Sequence, residues 1–161
     1  MARTPSGGTP ATVALTRAGV DHTLHPYPHL AGSTHFGEEA AAALGVPAGQ
    51  IFKTLLADVD GKLVVAVVPV ARQLDLKALA AAVGAKKAGM ADPAAATRST
   101  GYVLGGISPL GQRTRLQTVV DRSATDFATV YVSGGRRGLQ VERAPGDLVR
   151  LTDALLAPVG H

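Results

Sequence analysis

The 161 residues contain no cysteine. That excludes a disulfide framework, a thiol nucleophile on the protein and a thiolate metal site. It is also consistent with a reducing compartment, although weakly. Aromatic residues make up only 4% of the chain, and none of them interleave with the basic residues. This argues against the stacking platform used by single-strand nucleic-acid binders. No apolar run approaches the ~20 residues that span a bilayer as a helix. The opening MARTPSGGTP lacks the apolar core of a secretory leader, so the expected compartment is the cytoplasm.

What is present is the composition of a globular protein: 46% hydrophobic, rich in Ala, Val and Leu, with ten prolines. A chain of this length suits one domain that buries its own core without metals or disulfides. The expected organisation is a Gly/Ser/Thr/Pro-rich tail at 1–9 and a single domain at 10–161. The net charge is +4 and unevenly spread. Lys86 to Arg150 holds ten Lys or Arg against five Asp or Glu, whereas residues 1–85 hold six of each. Such a basic half suits a phosphate-bearing partner, and dispersed arginines that keep a surface solvated are an equal alternative. Arg113 and Arg115 in GQRTR, with the pair Arg136-Arg137, are the candidates to face nucleic acid.

Turn and cap residues divide the chain clearly. Thr9 or Pro10 opens a helix to about Ala18, closed by Gly19. HTLHPYPHL reads as an edge strand interrupted by prolines. GEEAAAALG is a short helix with Glu38 and Glu39 in its first turn, where the helix dipole favours them. QIFKTLLADVDGKLVVAVVPV is a hairpin bent at Asp60-Gly61. Asp75 and Asp92 cap two further helices, DLKALAAAVG and DPAAATRST, with the short strand KKAGM between them. GYVLGGISPLGQ, with four glycines and a proline, is an ordered loop. LQTVVD, FATVYVSG and GLQVE are strands, the last two forming a hairpin, and PGDLVRLTDALLAP is a C-terminal helix. Strands and helices alternate without a βαβ period. The expected class is α+β, with a mixed, mostly antiparallel, curved and barrel-like sheet surrounded by helices.

One residue is out of place in this pattern. Lys53 lies in IFKTLL, a strand whose neighbours read as buried on both faces, and lysine is almost never buried without a partner. Either its long stem snorkels to water or it lines a pocket that holds an anion or an ester carbonyl. Two glycine pairs are similarly ambiguous. Gly105-Gly106 and Ser133-Gly134-Gly135 are tight turns by default. Alternatively, they are places where a ligand reaches backbone N–H groups. His22, His25 and His29 do not share a face at their spacing, and no ligand set completes them, so no metal is expected. His35 is a lone loop histidine. Neither Ser108 nor Ser133 lies in a nucleophile elbow.

The order IFKTLL, PVARQLDLKALAAAVGAKKAGMADP, RSTGYVLGGISPLGQ and FATVYVSGGRRGL resembles the YbaK family of aminoacyl-tRNA deacylases, and within it the bacterial Cys-tRNA(Pro) deacylases. The resemblance covers about residues 11–155. It implies the fold of the prolyl-tRNA synthetase editing domain and an enzyme that acts in trans on the acceptor end of mischarged tRNA. It implies no cofactor and no metal, prolyl-tRNA synthetase as a further partner, and neither membrane nor DNA binding. Carried over by motif, Lys53, Gly105 and Ser133 are the catalytic candidates. Tyr27, Phe36, Thr54, Gly106, Ile107, Gly134 and Gln140 are the substrate-binding candidates. For cysteine-specific members the substrate's own thiol attacks the ester, which suits a chain without Cys or a triad. The implied substrate is Cys-tRNA(Pro), with Cys-tRNA(Cys) as a second. Alternatives are the same fold deacylating Ala-tRNA(Pro), or a non-catalytic tRNA- or synthetase-binding module. One departure stands out: Gln140 occupies a position where an acidic residue is the family pattern, and Glu142, on the same strand face, is the candidate replacement.

Overall fold

The Asp60-Gly61 bend sets the frame. Both residues have positive φ, 50° and 86°, the geometry whose twist matches a two-residue hairpin. It joins β2 (Phe52–Val59) to β3 (Lys62–Pro69), pairing Phe52 with Pro69 through to Val59 with Lys62. The Asp60 carboxylate accepts the N–H groups of Lys86 and Lys87 at 3.0 Å each. This seats β4 (Ala88–Met90) against the far edge of β2.

The computed structural model describes residues 8–30 and 35–161. Its larger sheet runs β4-β2-β3-β5-β8, where β5 is Gln117–Asp121 and β8 is Leu155–Ala157. β2 is antiparallel to both neighbours, while β3-β5 and β5-β8 are parallel. A second sheet, β1-β7-β6, is antiparallel, with β1 (Thr23–Pro26) on its edge beside β7 (Leu139–Arg143) and β6 (Val130–Ser133). The helices are α1 (Pro10–Arg17), α2 (Phe36–Leu44), α3 (Leu76–Ala82), α4 (Pro93–Thr100) and α5 (Pro145–Thr152). The α+β class and mixed sheet stand, but no barrel closes among the described residues. Among the described residues a single bridge, Ile51 to Tyr131, joins the two sheets.

Alternation along β2 and β3 gives the fold two cores, since successive side chains leave a strand on opposite faces. Phe52, Leu56, Val65 and Val67 face one, shared with Leu15, Tyr102, Ile107, Val132 and Leu148. Ala57, Val59, Val64, Ala66 and Val68 face the other, under Leu79 of α3. A third cluster, Ala40, Ala41, Ile51 and Val70, docks α2 onto the bridge between the sheets.

Two sequence expectations need correction. The C-terminal helix does not run to the end of PGDLVRLTDALLAP. It stops at Thr152, because Asp153 adopts a left-handed conformation (φ 54°), and Leu155–Ala157 become β8. Of the tail expected at 1–9, residues 1–7 lie outside the described residues. Thr9 is ordered as the N-cap of α1 in a reciprocal capping box, and its hydroxyl donates to the Gly134 carbonyl at 2.5 Å.

The end of the chain is held by one buried carboxylate. Asp121, 2% exposed, accepts the N–H groups of Val159 (2.9 Å) and Gly160 (2.8 Å) on one oxygen and the Ser123 hydroxyl (2.5 Å) on the other. The Ser123 N–H also reaches it at 3.3 Å. Removing it takes the acceptor from the Gly160 N–H and from the Ser123 hydroxyl and N–H, while the Val159 N–H keeps the Ala157 carbonyl at 2.9 Å; a buried donor left unpaired costs roughly 1–3 kcal/mol. Asp121→Ala is therefore expected to cost about 3 kcal/mol in chemical denaturation. A loss below about 1 kcal/mol would mean that water replaces the carboxylate.

Candidate functional site

The site arises because β2 and β6 run side by side for one bridge and then part. The Tyr131 N–H donates to the Gln50 carbonyl at 3.1 Å, and the two strands then diverge into different sheets. On the other side of β2, β4 pairs only with Ala57–Val59, and the Ala91 N–H reaches the Leu56 carbonyl at 3.0 Å. Between these contacts a stretch of strand edge is uncovered. A cavity of about 420 Å³ fills the wedge, within the range that takes a ligand larger than a single amino acid.

Five consecutive residues of β2, Phe52 to Leu56, line this cavity. Lys53 and Thr54 leave the strand on opposite faces, and both border it. The oddity of the IFKTLL strand thus has a structural basis: its lysine stands at a cavity wall, and among the described residues no carboxylate pairs with it. The Thr54 hydroxyl oxygen is buried without a hydrogen-bond partner, as is the side-chain oxygen of Gln140, which is 7% exposed. Unsatisfied buried polar atoms are rare in folded proteins, and two of them share this cavity.

The loop GYVLGGISPLGQ forms the opposite wall through Leu104, Gly105 and Ile107. Gly105 has φ +82°, and a Cβ there would lie 2.7 Å from the Phe36 ring. The next glycine serves packing: a Cβ on Gly106 would meet the Arg136 backbone at 2.8 Å. Arg137 closes this corner. Its Nε–H donates to the Leu104 carbonyl at 2.7 Å, and its guanidinium lies over the Phe36 ring, 4.7 Å from the centroid. Phe36 starts α2, whose placement is fixed by the close approach of Gly37 to Val70.

Ser133 ends β6 at the cavity, and its hydroxyl accepts the Gly135 N–H at 3.1 Å. Among the described residues no histidine or carboxylate hydrogen-bonds to it. Gly134 lies outside the lining and closes the β6–β7 turn, its N–H on the Leu139 carbonyl at 2.8 Å. Tyr27 stands behind the lining, beside Gln140. Burial pushes its hydroxyl above the usual tyrosine range, opposed by hydrogen bonding to Gly138 and Gln140. The exposed His35 and Glu38 lie at the mouth.

The proposed replacement of Gln140 by Glu142 does not hold. Glu142 is not part of the cavity lining; it accepts from the Thr129 hydroxyl (2.6 Å) and pairs with His25 (2.8 Å), which together hold its carboxyl below the usual range. His29 pairs with Glu39 at 2.7 Å and His22 with the Val20 carbonyl at 2.8 Å. The three histidines thus have separate partners. Among the described residues no group of three His, Cys, Asp or Glu is placed to hold a metal. Ser108 is buried in the loop, accepting the Leu110 N–H at 3.2 Å.

The arginines divide into two places. Arg136 and Arg137 flank the Gly105 wall. Arg113 donates to the Arg98 carbonyl at 3.3 Å, and Arg115 borders a separate hollow of about 230 Å³ beside Leu151 and Thr152. Sequence reasoning assigned no role to Met90, Ala91, Pro93 and Ala96, which line the cavity. Nothing in the sequence marked them: that Met90 ends its short strand 54% exposed, ahead of the Asp92 cap, is visible only in the folded chain. Gly105→Ala is expected to cost about 1–2 kcal/mol, from a disfavoured φ and the clash with Phe36. Denaturation and the shifted Phe36 ring resonances would check this, and an unmoved ring would contradict the packing described.

Known proteins resemble this chain in both sequence and fold. Residues 32–151 match the aminoacyl-tRNA editing domain. A proposed Cys-tRNA(Pro)/Cys-tRNA(Cys) deacylase, EbsC of Enterococcus faecalis, is 40% identical over 124 residues, 76% of this chain and 75% of that protein. The crystal structure of a proposed trans-editing enzyme for prolyl-tRNA synthetase superposes with a TM-score of 0.85 at 27% identity, covering 99% of both chains. With its cavity built from the motifs that carried the resemblance, the chain belongs to the aminoacyl-tRNA editing family.

Proposed function

We propose that this protein is a trans-editing deacylase that releases cysteine from Cys-tRNA(Pro), and also from Cys-tRNA(Cys). The observation that carries the reading is the wedge between β2 and β6. It gathers Lys53, Thr54, Gly105, Ser133 and Gln140 around one cavity, and EbsC, a relative named for the same substrates, is 40% identical.

The chemistry follows from what the cavity offers. Its walls supply a cation, hydroxyls and a loop glycine, but the Ser133 hydroxyl is turned to Gly135 and no base activates it. The nucleophile is then the substrate thiol. Sulfur attacks the ester carbonyl carbon, the bond from that carbon to the ribose oxygen breaks, and the thiol proton ends on the ribose hydroxyl. The products are free tRNA and a cyclic thiolactone, which water later opens to cysteine. The protein contributes placement and charge stabilisation, two large general terms in catalysis. The Gly105 N–H faces the carbonyl oxygen, Lys53 holds a phosphate of the terminal nucleotide, and Ser133 and Gln140 orient the aminoacyl group. The site works in the cytoplasm, where tRNA is charged, with prolyl-tRNA synthetase as the partner that presents the substrate. No helix among the described residues is long and apolar enough to cross a membrane.

Lys53→Ala is expected to lower deacylation of Cys-tRNA(Pro) at least about 100-fold with an unchanged thermal melt. The deciding assay is a panel of Cys-, Ala-, Ser- and Pro-charged tRNA. Only cysteine is released if the thiol route operates, and release of alanine at a similar rate would redirect the reading to Ala-tRNA(Pro). Binding is expected to weaken with salt, since Arg136 and Arg137 flank the mouth and Arg113 and Arg115 extend the basic surface. Replacing Arg136 and Arg137 with alanine removes about one to two phosphate contacts from the logarithmic salt slope. An unchanged slope would take these two residues out of the tRNA-facing surface.

A further inference from the structure

The uncovered edge of β2 has a polarity that the reaction above does not use. Strand residues direct both main-chain polar groups to the same side, alternating along the chain. The Val70 N–H donates to the Ile51 carbonyl at 2.9 Å, so odd-numbered residues of β2 face β3. The Gln50 and Leu56 carbonyls accept from Tyr131 and Ala91, so even-numbered residues face the other way. Between those two contacts, the Phe52 carbonyl and the Thr54 N–H stand next to each other on the edge. Neither has a ladder partner among the described residues. Contact through this edge also explains how five successive residues line one cavity, which a single strand face cannot do.

We infer that this edge is a nucleobase subsite, which reads the adenine at the 3′ end of tRNA through the Phe52 carbonyl and the Thr54 N–H. The inference rests on the deacylase reading and adds the site of the base. An acceptor beside a donor on a straight edge complements the 6-amino group and N1 of adenine, a neutral planar partner. An α-ammonium group would satisfy the carbonyl and leave the N–H unpaired, and a phosphate would do the reverse. The walls suit a flat ring: Phe52, Leu56, Ala91, Pro93, Ala96 and Ile107 are apolar. The unpartnered oxygens of Thr54 and Gln140 give the same subsite two more polar contacts. With the base on the edge, Lys53 is left for the phosphate, because its side chain leaves β2 on the face opposite Thr54.

The test is a titration of ¹⁵N-labelled full-length protein with adenosine 5′-monophosphate, inosine 5′-monophosphate and purine riboside 5′-monophosphate. The inosine nucleotide inverts the donor and acceptor, and the purine nucleotide lacks the amino group. The adenine nucleotide is expected to move the Thr54 amide resonance downfield. It should bind about tenfold more tightly than the other two, the value of one lost hydrogen bond to an unpaired carbonyl. Equal affinities, no binding by any of the three, or an unmoved Thr54 amide at saturation would overturn the subsite. Because the readout is nucleotide binding, adenine preference without ester cleavage would remove the proposed reaction alone. Cleavage without the preference would remove the subsite alone.

Discussion

The rest of the structure depends on where one pair of strands stops pairing. Ile51 and Tyr131 form the only bridge between the two sheets among the described residues. Had the ladder continued, the space now lined by Lys53, Thr54 and Ser133 would be filled by interstrand hydrogen bonds. Two features hold the strands apart beyond the bridge. The three-stranded sheet is committed to its own antiparallel ladder, Val130–Arg143 to Ser133–Gln140, and the loop carrying Gly105 and Ile107 fills the far side of the wedge. α2 secures the closed end by packing Ala40 and Ala41 on Ile51 and Val70.

An open strand edge is usually a liability, because it invites pairing with another chain. Here the edge lies inside a cavity walled by apolar side chains and by the arginine-capped Gly105 loop, so a small ligand can reach it and a second protein strand is poorly accommodated. The same enclosure makes each polar group inside it count for more. In a space of low effective dielectric, one cation and a few fixed dipoles act more strongly on a developing charge than they would in water. A site of this kind can accelerate ester cleavage by placement and electrostatics while leaving the nucleophile to the substrate.

Most of the architecture was legible in the sequence because local signals were strong. Asp60-Gly61 and the caps Asp75 and Asp92 act within a few residues, and propensity and pattern describe such effects well. The misread C-terminus shows the limit: LLA has helix propensity, but pairing with β5 and the Asp121 clasp override it. The site was partly legible. Lys53 was conspicuous as a charge in a buried strand, whereas the glycine pairs gained meaning only from the family resemblance. The Arg137–Phe36–Leu104 contact and the β4–α4 wall could not be read, since they join segments far apart in sequence through packing. Glu142 failed as a stand-in for the missing acid because period-two spacing gives a face and says nothing about the partners waiting there.

The central claim is that the cavity positions and stabilises while the substrate's sulfur does the attacking. It is tested most directly by comparing tRNA(Pro) charged with cysteine and with S-methylcysteine, whose capped sulfur fits a similar volume and cannot form the ring. The account predicts that wild-type protein releases cysteine and leaves S-methylcysteine attached over the same period. Release of both at similar rates would contradict it, and would place the nucleophile on water or on the protein.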